Sequence, residues 1–345
     1  MTPSDRGGDA PSPHPAPITV AAAARDRVVD GLRWHCLEAG QGPLLLLLHG
    51  FPYSGHQFRH VVPGLVAAGY RVVVPDLPGV GDSESPADPE RSSHVRRVGD
   101  LVALLDALGA ASAVLVGHDV GSTLSFAAAQ MRPDRFRALA MLSTPPTLRP
   151  TASPAQTWAA MRASTGCTFY QEYFAGAQAE RELDADVRRS LRSIMFSVSG
   201  CAQGAQRWRP MMAPGEGFLD TVFDPPELPG FLSGRDFEHY VAQYARTGFR
   251  GALAPYRCRE RDWTLGAFLA GRRPPQPALF LGGTADPSIE RMRSNYDTLE
   301  VTLPGLRGKP LVDGAGHGLP EENPDWVVRE LLAFLAALDP AERGD

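Results

Sequence analysis

Two kinds of hydrophobic patterning take turns along this chain. Short, wholly apolar runs occur in "PLLLLLHG" (43–50), "YRVVVPD" (70–76), "SAVLVGHD" (112–119), "ALAMLST" (138–144) and "PALFLGGTAD" (277–286). Between them lie stretches whose apolar residues recur every three or four positions, such as "VRRVGDLVALLDALGA" (95–110) and, near the end, "PDWVVRELLAFLAAL" (324–338). Short apolar runs belong to strands covered on both faces, and the longer spacing belongs to amphipathic helices. The alternation predicts an α/β fold with a mostly parallel central sheet flanked by helices. Further helices are predicted near 55–68 and through "STLSFAAAQM" (122–131), and a last strand in "KPLVDGAGH" (309–317). In "RVVDGLRWHCLEAG", Asp30-Gly31 separates two alternating stretches, the signature of a two-residue hairpin turn.

The rhythm breaks at "TPPTLRPTASPAQTW" and resumes only at 277. Roughly 148–257, where aromatic and charged residues recur with helix-like spacing, reads as a helical insertion lying over the sheet as a lid. Residues 18–147 and 258–340 make up the core, and the Pro-rich, small polar "MTPSDRGGDAPSPHPAP" reads as a disordered tail over 1–17, without the apolar stretch of a secretory signal.

Charge narrows the classes of partner. Lys and Arg total 34 against 39 Asp and Glu in 345 residues, a net charge of -5 with no basic stripe for nucleic acid or an anionic membrane. The longest apolar run is far below the roughly 18 to 20 residues that span a bilayer. A small molecule is therefore the expected partner. Cys36, Cys167, Cys201 and Cys258 stand far apart without C-x-x-C pairing, which reads as reduced thiols in a cytoplasm and as no metal site. Abundant Ala, Arg, Gly and Pro with few Lys point to a GC-rich bacterial genome. The oligomeric state stays open, a homodimer being compatible with the sequence.

The chemistry concentrates in "LVGHDVGS" (115–122). Gly117-His118-Asp119-Val120-Gly121 has the spacing of a nucleophile elbow, with aspartate where most such turns carry serine. A helix N-terminus follows at once and favours negative charge there. The plain alternative is an aspartate that caps this helix. Asp286 follows one later strand and His317 another, so the chain order is nucleophile, acid, histidine, as in the α/β-hydrolase fold. His49-Gly50-Phe51-Pro52 ends the first buried strand, where the backbone N–H of Phe51 can join that of Val120 as an oxyanion hole. His49 is expected to orient this loop and His118 to be structural.

A carboxylate nucleophile selects its electrophile. Attack by serine on a saturated carbon leaves a stable ether, whereas aspartate leaves an ester that water cleaves in a second step, with His317 as base and Asp286 holding its tautomer. The substrate is then an epoxide or an alkyl halide. An opening epoxide needs O–H donors for its alkoxide, and the insertion offers Tyr170 and Tyr173 in "TFYQEYF" and Tyr256 in "GFRGALAPYR". A halide needs N–H donors instead.

These pieces resemble the soluble epoxide hydrolases of the α/β-hydrolase superfamily, from about residue 26 to 338. The likeness rests on "HGFP" (49–52), "GHD-x-G" (117–121), "YQ-x-YF" (170–174), "YVAQYARTGFRGALAPYR" (240–257) and "ERDW" (260–263). The resemblance implies Asp119 as nucleophile, His317 as water-activating base, Asp286 as its partner, and Tyr170 with Tyr256 as donors to the epoxide oxygen. It also implies an oxyanion hole of Phe51 and Val120, substrate contacts from His49, Pro52 and Tyr173, and no metal or organic cofactor. The chain departs from the family at Val120, where tryptophan is usual, and at Gly318, where a bulky residue is common. Both changes bear on substrate range. A haloalkane or haloacid dehalogenase with the same nucleophile is the alternative, disfavoured because Val120 replaces the Trp or Arg that serves a halide. A binding protein on the hydrolase shell would be expected to have lost a reactive residue, and all three are present.

Overall fold

The computed structural model describes residues 22–343, so the tail expected over 1–17 lies outside the described residues. Its main sheet has nine strands, in the order β1 (Ala23–Val29), β2 (Leu32–Ala39), β4 (Arg71–Pro75), β3 (Leu44–Leu48), β5 (Ala113–His118), β6 (Phe136–Leu142), β9 (Ala278–Gly283) and β10 (Leu306–Gly308), with β11 (Leu311–Val312) also on β9. From β4 to β10 every pairing is parallel, while β1 and β2 are antiparallel to their neighbours. Asp30 and Gly31 both take positive φ, 45° and 78°, as the hairpin turn requires.

The apolar runs are buried on both faces because the sheet has a core on each side. In β3, Leu44, Leu46 and Leu48 enter one hydrophobic cluster, and Leu45 and Leu47 enter the other. The first cluster is closed by α2 (His94–Ala107) and α3 (Val120–Met131) through Leu101, Leu104 and Leu124. The second is closed by α1 (Val62–Ala67) and the helix Pro324–Ala336 through Leu65, Val327 and Leu331. Since β3, β5, β6 and β9 are parallel, the loops that follow them emerge at one end of the sheet. That end is where such folds bind ligands.

Between β6 and β9 run the helices α4 (Pro154–Thr165), α5 (Tyr170–Ala175), α6 (Ala177–Ala185), α7 (Val187–Ser197), α8 (Gly234–Thr247), α9 (Arg250–Arg257) and α10 (Arg259–Leu265), with a short antiparallel pair of β7 (Thr168–Phe169) and β8 (Met211–Met212). Helices α5 to α9 share a third cluster, which includes Phe174, Leu191, Tyr240, Phe249 and Tyr256. Phe51 and Tyr53 from the loop after β3 belong to it too, so the insertion is packed onto the same loop that carries the His-Gly-Phe-Pro motif. Among the described residues no helix is long and apolar enough to cross a membrane.

Candidate active site

Asp119 occupies the turn between β5 and α3 with φ 51° and ψ -110°, a conformation that a side chain other than glycine rarely adopts. The turn is held by close packing on its glycines. A Cβ on Gly121 would run into the backbone carbonyl of Leu48, and one on Gly117 into that of Gly121. Asp119 makes no side-chain hydrogen bond to the helix that follows, which disposes of the capping reading. Its Oδ1 instead accepts a hydrogen bond from the Phe51 N–H at 2.9 Å, and its Oδ2 one from the Thr144 hydroxyl at 3.4 Å.

His317 lies on the other side of this carboxylate, with Nε2 3.4 Å from Asp119 Oδ2. Its Nδ1 is 3.1 Å from both oxygens of Asp286, whose Oδ1 also accepts the Ser288 N–H at 2.7 Å at the start of α11 (Pro287–Arg291). Burial disfavours a charged imidazole, but Asp286, and then Asp119, outweigh it and hold His317 well above the usual range. Burial likewise works against the Asp119 carboxylate, yet the hydrogen bond and charge of His317 hold it down to about 2. The two groups start as an ion pair.

Several residues fix this histidine that sequence reading did not single out for it. Its backbone carbonyl accepts from His118 Nε2 at 2.7 Å and from the Ser143 hydroxyl at 2.8 Å, and its N–H donates to Val198 of the insertion at 2.8 Å. Burial, followed by the His317 charge, pushes His118 down to about 4, so a neutral donor holds the loop. Glu322 accepts from the N–H groups of Gly316 and Gly318, at 2.8 and 3.0 Å, and from that of Gly200 at 2.9 Å. No sequence signal distinguishes Glu322 from Glu321 beside it.

A cavity of about 480 Å³ opens over Asp119 and Val120. Tyr170 and Tyr256 line it together, their ring centroids 6.2 Å apart. Burial, then the charge of Asp119, pushes the Tyr256 phenol well above its usual range, so it stays protonated. The Tyr170 oxygen accepts from the Gln171 amide at 2.9 Å, which leaves its O–H free to donate. Trp158, Met161, Phe126 and Trp263 supply apolar wall. That wall continues past residue 257, through Arg259, Asp262 and Trp263.

His49, Pro52 and Tyr173 are not among the residues lining this cavity, so the expected substrate contacts from them are not formed here. His49 Nε2 accepts the Leu77 N–H at 2.9 Å, the loop-orienting part, and burial pushes its imidazole down to about 4. Tyr173 donates to Glu182 at 2.8 Å: it sits three positions beyond Tyr170 on a single short helix, and its hydroxyl is engaged within the insertion. Pro52 is buried in the loop after β3. Phe51 offers its amide to Asp119, and Val120, first residue of α3, has an N–H that the helix cannot satisfy. Gly318 is not on the cavity wall either: a Cβ there would meet Tyr53 Oη at 2.5 Å, so its small size serves loop packing. Among the described residues no group of three or more His, Cys, Asp or Glu is arranged to hold a metal ion.

The sheet and the Asp119–His317–Asp286 arrangement define an α/β hydrolase, and a family model of the alpha/beta hydrolase fold matches residues 43–191. Epoxide hydrolase A of Mycobacterium tuberculosis is 38% identical over 324 residues, 92% of this chain and 99% of that protein. An epoxide hydrolase of Caballeronia sordidicola is 34% identical over 93% of this chain and 96% of its own. An epoxide hydrolase from an endophytic Streptomyces superposes with a TM-score of 0.87 at 37% identity, covering 91% of this chain and 95% of that one. The chain belongs to the epoxide hydrolases of the α/β-hydrolase fold.

Proposed function

We propose that this enzyme converts an epoxide to a vicinal diol through an ester on Asp119. The observation that carries the reading is the Asp119 carboxylate lining the cavity, Oδ1 tied to the Phe51 N–H and Oδ2 held only by long 3.4 Å contacts to Thr144 and His317, with two phenols lining the same cavity. In the first step Asp119 Oδ2 bonds to an epoxide carbon, the carbon–oxygen bond of the ring breaks, and the oxygen takes a proton from Tyr256 or Tyr170. With the Asp119 charge gone, His317 gives its proton to the tyrosinate, and in the second step the neutral imidazole takes a proton from water as the hydroxide adds to the Asp119 carboxyl carbon. The resulting oxyanion is held by the amides of Phe51 and Val120. Collapse breaks the acyl carbon–oxygen bond, His317 protonates the departing alcohol, and the proton left on the carboxyl passes to His317, which restores the starting ion pair.

The segment 148–257, which carries both tyrosines, acts as the lid. Epoxide and water are the only reactants required, and the four free cysteines support a cytoplasmic setting. The test is intact-protein mass spectrometry of His317→Gln after exposure to a panel of epoxides. A stable adduct of one epoxide mass on the peptide containing Asp119 is expected, and an unmodified Asp119 with continued diol formation would refute the covalent route.

A further inference from the structure

A second, much smaller cavity of about 20 Å³ lies against the oxyanion loop, lined by Phe51, Val120, Arg97, Gly251 and Ala252 among others. Arg97, on α2, is only 2% exposed. Its Nε–H is buried without a hydrogen-bond partner, and Nη2 makes a long 3.5 Å bond to the Pro78 carbonyl. Asp100, one turn along α2, is paired with Arg91, and no carboxylate among the described residues lies within ion-pair distance of Arg97. Burial pushes the guanidinium down to about 10, still charged at neutral pH.

The opposite wall is the first turn of α9. Gly251 and Ala252 are its second and third residues, whose N–H groups find no carbonyl within the helix, and they sit at the positive end of its dipole. Asp184 serves the preceding Phe249 N–H at 2.8 Å. A buried cation and a helix N-terminus thus face one space. About 20 Å³ gives room for at least one water-sized species. Asp100 and Asp262 act on the guanidinium only from beyond ion-pair distance, so a water would satisfy the Nε–H without placing a counter-charge in contact with it.

We propose that this cavity is a binding site for one small monovalent anion of chloride size, held by the Arg97 guanidinium and the N-terminus of α9. Val120 lines both this cavity and the one over Asp119, and Phe51 donates to Asp119, so the ion sits directly against the oxyanion loop. The site is independent of which reaction the enzyme catalyses.

Two measurements test it. Crystals soaked in bromide are expected to show an anomalous peak beside Arg97. The thermal midpoint is expected to rise saturably, by a few degrees, in potassium chloride relative to potassium gluconate at equal ionic strength. Both responses should vanish in Arg97→Met and persist in part in Arg97→Lys, which keeps the charge. Bromide found only at the surface, or an equal thermal response in Arg97→Met, would overturn the proposal. Should Arg97→Met fail to fold, the wild-type bromide peak and saturation curve decide it alone, since their absence refutes the site.

Discussion

His317 Nε2 lies 3.4 Å from Asp119 Oδ2, so the proposed base and nucleophile begin the cycle as a charged pair. The pairing suits the first step and obstructs the second. A protonated His317 keeps Asp119 ionised but cannot take a proton from water. Forming the ester removes the Asp119 charge, one of the two that hold His317 up, and so releases the imidazole toward its ordinary range.

The pH dependence of the two steps should therefore separate. Asp119 is held at about 2, so ester formation stays flat on acidification. Ester hydrolysis needs neutral His317 and should fall by roughly tenfold per pH unit once acidification protonates the imidazole. Rapid-quench trapping of the ester is expected to show it accumulating near pH 5; parallel loss of both rates would contradict this. Linkage has its own signs. The raised pKa of His317 gives stability present below its unfolded value and lost as pH rises through the folded one. The lowered pKa of Asp119 gives stability present above its unfolded value and lost as pH falls through about 2.

Tyr256→Phe and Tyr170→Phe should each slow ring opening while sparing ester hydrolysis. Loss of a general acid costs about 10²- to 10⁴-fold, and the remaining phenol across 6.2 Å should keep either single variant toward the lower end. Single-turnover rates for the two steps check this, and equal slowing of both would remove the phenols from proton donation.

Asp286→Asn should do the reverse. Both Asp286 oxygens lie 3.1 Å from His317 Nδ1, and an amide there can hold the imidazole in the wrong tautomer. Ester hydrolysis is expected to fall by about 10³- to 10⁴-fold, with the ester building up on Asp119. A variant that turns over at the wild-type rate would show that Asp286 is not the orienting group.

Gly121→Ala should cost stability before it costs chemistry. Its Cβ would strike the Leu48 carbonyl, backbone that cannot move without shifting β3. A loss of at least about 1–3 kcal/mol in denaturant unfolding is expected. An unchanged midpoint would mean that the elbow is looser than this packing implies.

The strands of the parallel sheet were legible because burial on both faces makes them apolar throughout, as in Leu44–Leu48 and Ala113–His118. The end of the sheet was not. "KPLVDGAGH" reads as a strand over 309–317, but only Leu311 and Val312 pair, because Gly314 turns left-handed at φ 72° to begin the loop that presents His317. β10, three residues with a register shift, and the β7–β8 pair of two residues per strand carry too little pattern to be read. In the site, Asp119 and Asp286 follow strong strands and His317 follows the apolar Leu311–Val312, which is why they could be read in order. Tyr173 looked equivalent to Tyr170 in "YQEYF", since nothing local reveals Glu182 waiting for one hydroxyl and an open cavity for the other. Ser143 and Glu322 act on the backbone around His317, and such contacts leave no mark on sequence spacing.

The most direct measurement is a single turnover of excess enzyme in ¹⁸O-labelled water. The label should enter the Asp119 carboxylate, with the first diol carrying unlabelled oxygen from the protein. Label in the first diol and none in Asp119 would mean that water attacks the ring directly, and that no ester forms.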